Sequence, residues 1–212
     1  MMKETEIFDV LRTALKEGFL AGEGVGLDAV ARVTRDCVPK ALSLLKDKLG
    51  FNVLIDFTAA DFLKWPGRWT GVWDPCQATE AGGPGAEGSA PRPAPLAKER
   101  FDLTWRLMKL DPATGLVAGR FALKCRIADG EAGPPSARDL WPCADWLERE
   151  VWDMFGIKPS DRPDLKRLLL YEEFKGHPLR KDYPITRRQP LIAPLEAPQR
   201  LETQELRPKV DS

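Results

Sequence analysis

Histidine is almost missing from this chain: His177 is the only one in 212 residues. A nucleophile–histidine–acid set would have to use that ring, which sits between Gly176 and Pro178 with no cysteine or serine motif beside it. A structural, hydrogen-bonding histidine is the reading this supports. Cysteine is scarce too, and Cys37, Cys76, Cys125 and Cys143 are scattered without CxxC spacing. That argues against an iron–sulfur cluster or zinc site made by this chain alone, and suits reduced thiols in a cytoplasmic setting. No apolar run approaches the roughly 20 residues that cross a bilayer, and the opening MMKETEIFDVLRTALKEG resembles neither a secretory signal nor a transit peptide. Membrane attachment is therefore expected only through partners. Net charge is absent as well, with 32 Lys+Arg against 32 Asp+Glu, so nothing pulls the whole chain toward nucleic acid. No nucleic-acid partner is expected.

What is present is ordinary core material, 43% hydrophobic, enough for one well-formed core with extensions. Residues 1–18 read as an N-terminal helix with Ile7, Leu11, Ala14 and Leu15 on one face. Residues 19–157 read as an α+β core: a short strand over 25–33, a helix from Asp36 and Pro39 onward, a buried strand over 53–57, and a β-hairpin of 101–110 with 116–127. Together these imply a small, mostly antiparallel sheet flanked by helices. Residues 74–98 are dominated by Gly, Pro and Ala and read as a flexible insertion. Residues 158–212 read as an extended C-terminal docking arm and tail.

Three motifs of apparent chemistry are weak. Gly24, Gly26 and Ala29 match GxGxxA but follow a helical pattern, without the strand that a dinucleotide loop needs. Glu148 and Glu150, two apart on a helix, point nearly opposite ways and form no acid/base pair. Asp56 and Asp61 could hold a hard cation, though carboxylates capping turns are commoner. No catalytic, cofactor-binding or metal-binding residue is expected on this chain.

The most informative stretch begins at Trp141. Pro142 suits a first helical turn and Gly156 a helix end, so a helix is expected over 142–155. Ala144, Leu147, Val151, Met154 and Phe155 share its inner face; Asp145, Arg149 and Asp153 line up at i, i+4 on the outer one, with Trp146 and Trp152 flanking Arg149. Two indoles beside a charged ladder suit a covered, partner-facing surface, and a solvated salt-bridge face with the tryptophans half-buried under loops of the same chain fits about as well.

The strings SARDLWPCADWLEREVWDMFGI, PDLKRLLL and GHPLRKDYP resemble the 30 kDa subunit family of proton-pumping NADH:quinone oxidoreductase, respiratory complex I. FNVLIDFTAADF and FDLTWRLMKL are similar to that family's core strands, so the likeness covers most of 30–185. Asp161 and Arg162 stand where the family usually has Gly-His, which keeps a cationic donor but no imidazole. The resemblance implies a structural subunit of the hydrophilic arm, on the cytoplasmic face of the inner membrane, bracing the large quinone-site subunit beside iron–sulfur subunits. It implies FMN, iron–sulfur clusters, NADH and quinone in the assembled complex and none of them here. Equivalent subunits of membrane-bound hydrogenases and of F420-dependent or photosynthetic quinone-reducing complexes are the nearest alternatives, and a free-standing acid/base enzyme is a remoter one. Partner contact is expected at Trp146, Glu148, Arg149, Glu150, Trp152, Asp153, His177, Arg180, Lys181 and Asp182.

Overall fold

The computed structural model describes residues 4–25, 28–63, 99–186 and 188–190. Helix α1 (Glu4–Leu15) leads through a short 3-10 turn into a hairpin of β1 (Phe19–Val25) and β2 (Asp28–Val33). Helix α2 (Val38–Ser43) follows and continues as a wider π turn over Leu44–Lys48. Then come β3 (Val53–Asp61), the long hairpin of β4 (Glu99–Leu110) and β5 (Val117–Ala128), and α3 (Ala144–Phe155). The insertion expected over 74–98 lies outside the described residues.

The five strands form one sheet in the order β1-β2-β5-β4-β3. Three of its neighbour pairs are antiparallel, and β2 runs parallel to β5. Alternation along β4 and β5 makes the sheet two-faced. Phe101, Leu103, Trp105 and Leu107 pair with Ile127, Cys125, Leu123 and Phe121 on the buried face. Asp102, Thr104, Lys124 and Arg126 occupy the other. The inner face packs with Leu11 and Leu15 of α1, Val38 and Leu42 of α2, and Ala144, Val151 and Met154 of α3 in one apolar cluster. Burial pushes the Cys125 thiol up to about 12, which leaves it protonated and inert.

The sequence reading of 19–24 needs correction. Phe19–Val25 is a strand, so Gly24 sits on a β-strand opposite Ala29 and does not follow a helix, while Gly26 lies outside the described residues. Gly22 and Gly24 lower β-propensity and hid this strand, yet Gly22 has a packing reason. A Cβ there would meet the Phe8 and Phe19 rings at 2.8 Å, so the missing side chain is what lets α1 lie against β1.

Candidate functional site

Helix α3 starts two residues later than expected, after a turn in which the Ala144 N–H donates to the Trp141 carbonyl at 2.9 Å. It stops at Gly156, whose φ of 79° is the left-handed cap position and whose N–H donates to the Trp152 carbonyl at 2.8 Å. The space above this glycine is also taken: a Cβ would lie 2.7 Å from His177 Cδ2. The chain after α3 turns back across the helix, and its own backbone satisfies the helix's polar groups.

Asp153 is the centre of that return. It does not line an outer charged ladder, as helical periodicity suggests; its side chain is 0% exposed. One carboxylate oxygen accepts the backbone N–H groups of Leu168, Leu169 and Leu170 at 3.1, 2.9 and 2.9 Å, and the other accepts from Arg167 Nη1 at 2.6 Å. Burial pushes this carboxyl up, but the three N–H donors and the guanidinium outweigh it and hold the group below the usual carboxylate range. The periodicity failed because it sees one helix, whereas the covering layer comes from residues 14 to 17 positions downstream. Arg167 carries the order onward by donating to the Phe174 and Gly176 carbonyls at 2.8 and 3.3 Å. His177 Nδ1 lies 2.9 Å from the Asp153 carbonyl, so Nδ1 is the donor.

Glu148, one turn earlier, faces inward at 3% exposure. It accepts from Ser136 Oγ at 2.6 Å and from the Ala137 N–H at 2.7 Å, with Arg162 Nη1 at 3.5 Å. Arg162 is itself buried and lies 2.5 Å from Asp145. Beside Glu148 is a cavity lined by Phe57, Trp105, Pro134 and Ile157, no larger than about one water molecule. Burial raises the Glu148 carboxyl above its ordinary value, against the pull of Ser136, Ala137 and Arg162. The folded state therefore binds this proton more tightly than the unfolded one, and the group's contribution to stability falls as pH rises from about 4.5 through the raised value. Glu148→Gln should flatten that segment of the stability-versus-pH curve, measured by denaturant midpoint. An unchanged slope would show that Glu148 titrates normally.

A second ion cluster ties the C-terminal segment to the sheet. Arg100, at the start of β4, donates from Nε and Nη2 to Asp61 at 2.9 and 2.6 Å, to Asp129 at 2.7 Å and to Asp182 at 2.8 Å. Arg180 adds bonds to Asp129 at 2.6 Å and to the Phe155 carbonyl at 3.3 Å, and the Lys181 N–H donates to Asp61 at 2.8 Å. The Arg100 hydrogen bond is the main reason the Asp182 carboxyl drops to about 2. Asp61 thus caps a turn and an arginine rather than forming a cation site with Asp56, and among the described residues no cluster suits a metal.

The ten residues singled out by sequence differ in how far they are exposed. Glu148, Asp153, His177, Arg180 and Asp182 are engaged by their own chain. Glu150 and Lys181 have exposed side chains, Trp146 is 58% exposed, and Arg149 and Trp152 are half-buried. Sequence reasoning did not single out Arg100, Asp129, Ser136 or the pairing role of Arg167. Arg100 alone carried a signal, a cation just ahead of the buried Phe101 in an apolar strand.

The family model for "Respiratory-chain NADH dehydrogenase, 30 Kd subunit" matches residues 31–189. The C subunit of NADH-quinone oxidoreductase from Novosphingobium aromaticivorans is 30% identical over 181 residues, covering 85% of this chain and 46% of that protein. The corresponding C subunit from Hydrogenovibrio crunogenus is 35% identical over 156 residues, with 69% and 64% covered. The chain thus spans about half to two-thirds of the length of these relatives. Among solved structures, a trypsin-resistant fragment of Nqo5 superimposes with a TM-score of 0.51 at 28% identity, covering 77% of this chain and 100% of the fragment. A chain of a membrane-bound sulfane sulfur reductase, an archaeal respiratory membrane complex, shares the fold with a TM-score of 0.59 at 19% identity, covering 87% and 88%.

Proposed function

This chain belongs to the 30 kDa subunit family of respiratory-chain NADH dehydrogenases, and on that premise we propose that it is a non-catalytic, structural subunit of a proton-translocating NADH:quinone oxidoreductase. It sits in the hydrophilic arm on the cytoplasmic face, holds to the membrane through its partners, and braces the large subunit near the quinone site. NADH, FMN, iron–sulfur clusters and quinone belong to neighbouring chains. The observation that carries this is the α3 unit with its returning segment: the family match runs through it, and its buried carboxylates are spent on holding backbone rather than left facing a substrate-sized cavity. Among the described residues no helix is long and apolar enough to cross a membrane, in keeping with attachment through partners.

A tagged copy recovered from native membranes should arrive in a large assembly that contains flavin and iron and reduces quinone with NADH. The isolated chain should be colourless and inactive. A monomeric chain with its own activity or stoichiometric flavin would overturn the reading. An assembly that takes electrons from hydrogen or F420 would move the chain to one of the related complexes.

A further inference from the structure

The outer side of α3 carries a linked run of cations laid over aromatic rings. The Arg149 guanidinium lies 5.0 Å from the Trp146 ring centre, while its Nε and Nη2 donate to the Lys166 and Arg167 carbonyls at 3.2 and 3.0 Å. Arg167 lies over Trp152 at 5.9 Å, and Lys158 lies over the same ring at 5.0 Å. Each contact shares a residue or a backbone neighbour with the next, so this is one patch. Trp146 is 58% exposed and Leu169, whose N–H bonds Asp153, is 62% exposed. Apolar side chains this open beside fixed cations are what a partner covers.

Most of the cations also lack an acidic partner. Asp153 neutralises Arg167, but among the described residues no carboxylate pairs with Arg149, Lys158 or Lys166. The exposed acids nearest the patch are Glu150 on α3 and Asp161 and Asp164 between Lys158 and Lys166; Asp161 accepts from the Ser136 N–H at 2.8 Å and Asp164 lies 3.6 Å from Arg162. We infer that this patch seats an acidic polypeptide: a partner-chain surface that sets carboxylates against Arg149, Lys158 and Lys166 and an apolar side chain against Trp146 and Leu169. The inference rests on the docking reading above and names the chemistry of that contact. It also moves the contact away from Arg180 and Asp182, which Asp129 and Arg100 already hold. A nucleic acid fits less well, because the ring faces on which bases would stack are engaged by cations.

A carbodiimide joins amines to carboxylates without a spacer, so treating the intact assembly from native membranes tests the pairing directly. Mass spectrometry should find Lys158 and Lys166 joined to Asp or Glu of another chain. In the cell, Lys158→Glu with Lys166→Glu should lower the complex-bound chain about tenfold on native gels, and Trp146→Ala should lower it similarly. The unfolding midpoint of the isolated variants should stay near that of the natural chain, because these side chains are exposed. Recovery of the assembly with both lysines as reactive toward an acetylating reagent as in the isolated chain would overturn this inference alone. So would tight, lysine-dependent binding of the isolated chain to poly(dT) or to phosphatidylglycerol vesicles. Failure to recover the chain in any assembly would overturn the docking reading and this inference with it.

Discussion

Asp153→Ala should cost about 3–5 kcal/mol of unfolding free energy, the usual penalty for breaking a buried, hydrogen-bonded ion pair from one side. The carboxylate is 0% exposed, and it is the acceptor for three consecutive backbone N–H groups as well as for Arg167. Alanine leaves those donors and the guanidinium facing each other without an acceptor. Asp153→Asn keeps the shape but loses the charge and turns an amide N–H₂ toward a donor, so it should cost nearly as much. The sign of the pH dependence follows from the lowered carboxyl. Its contribution is complete above the unfolded-state value of 3.8 and is lost as pH falls through the lower folded-state value. Natural and variant chains should therefore differ most at neutral pH and converge in strong acid. Denaturant midpoints at pH 7 and pH 3 check this, and a neutral-pH loss under 1 kcal/mol would show that the returning segment reorganises freely without Asp153.

Asp153 also marks where sequence stops being sufficient. The β4/β5 hairpin was legible because alternation on both strands and the turn around Asp111 and Gly115 are local signals. The ends of α3 were legible within two residues from Pro142 and Gly156, and so was the opposition of Glu148 and Glu150, which are respectively buried and exposed. The apolar side of α3 was correct at Ala144, Val151, Met154 and Phe155. Its polar side was wrong at Asp153. Helical periodicity assigns charge to solvent, and a loop that folds back to donate three N–H groups leaves no periodic trace of its own. The ion cluster at Arg100 was hidden for a related reason: its partners lie 39, 29 and 82 positions away, beyond any pattern a single chain displays. Family likeness pointed to 176–184 as a unit that matters, and the structure adds that much of its charge is spent within the chain.

Arg100→Met should be about as damaging as the loss of Asp153, by 3–5 kcal/mol, for the complementary reason. Methionine preserves much of the stem's packing but strands Asp61, whose side chain is 0% exposed and which relies on two guanidinium bonds. The Lys181 and Leu63 N–H groups still reach Asp61 and soften the loss without supplying a counter-charge. Asp129 and Asp182 are about half exposed, so water replaces the arginine there at little cost. Asp182→Ala alone should therefore cost about 1 kcal/mol or less. The two variants should differ in global stability yet share a local effect, because Arg100–Asp182 is one of the ties holding the segment after His177 to the sheet. Trypsin cleavage after Arg180 or Lys181 should accelerate in both, while cleavage elsewhere accelerates only in Arg100→Met. If Arg100→Met were as stable as Asp182→Ala, Asp61 would have to be protonated or hydrated in the variant. Asp61→Asn in the Arg100→Met background separates these cases: it restores stability when the stranded charge is the cause and changes nothing when it is not.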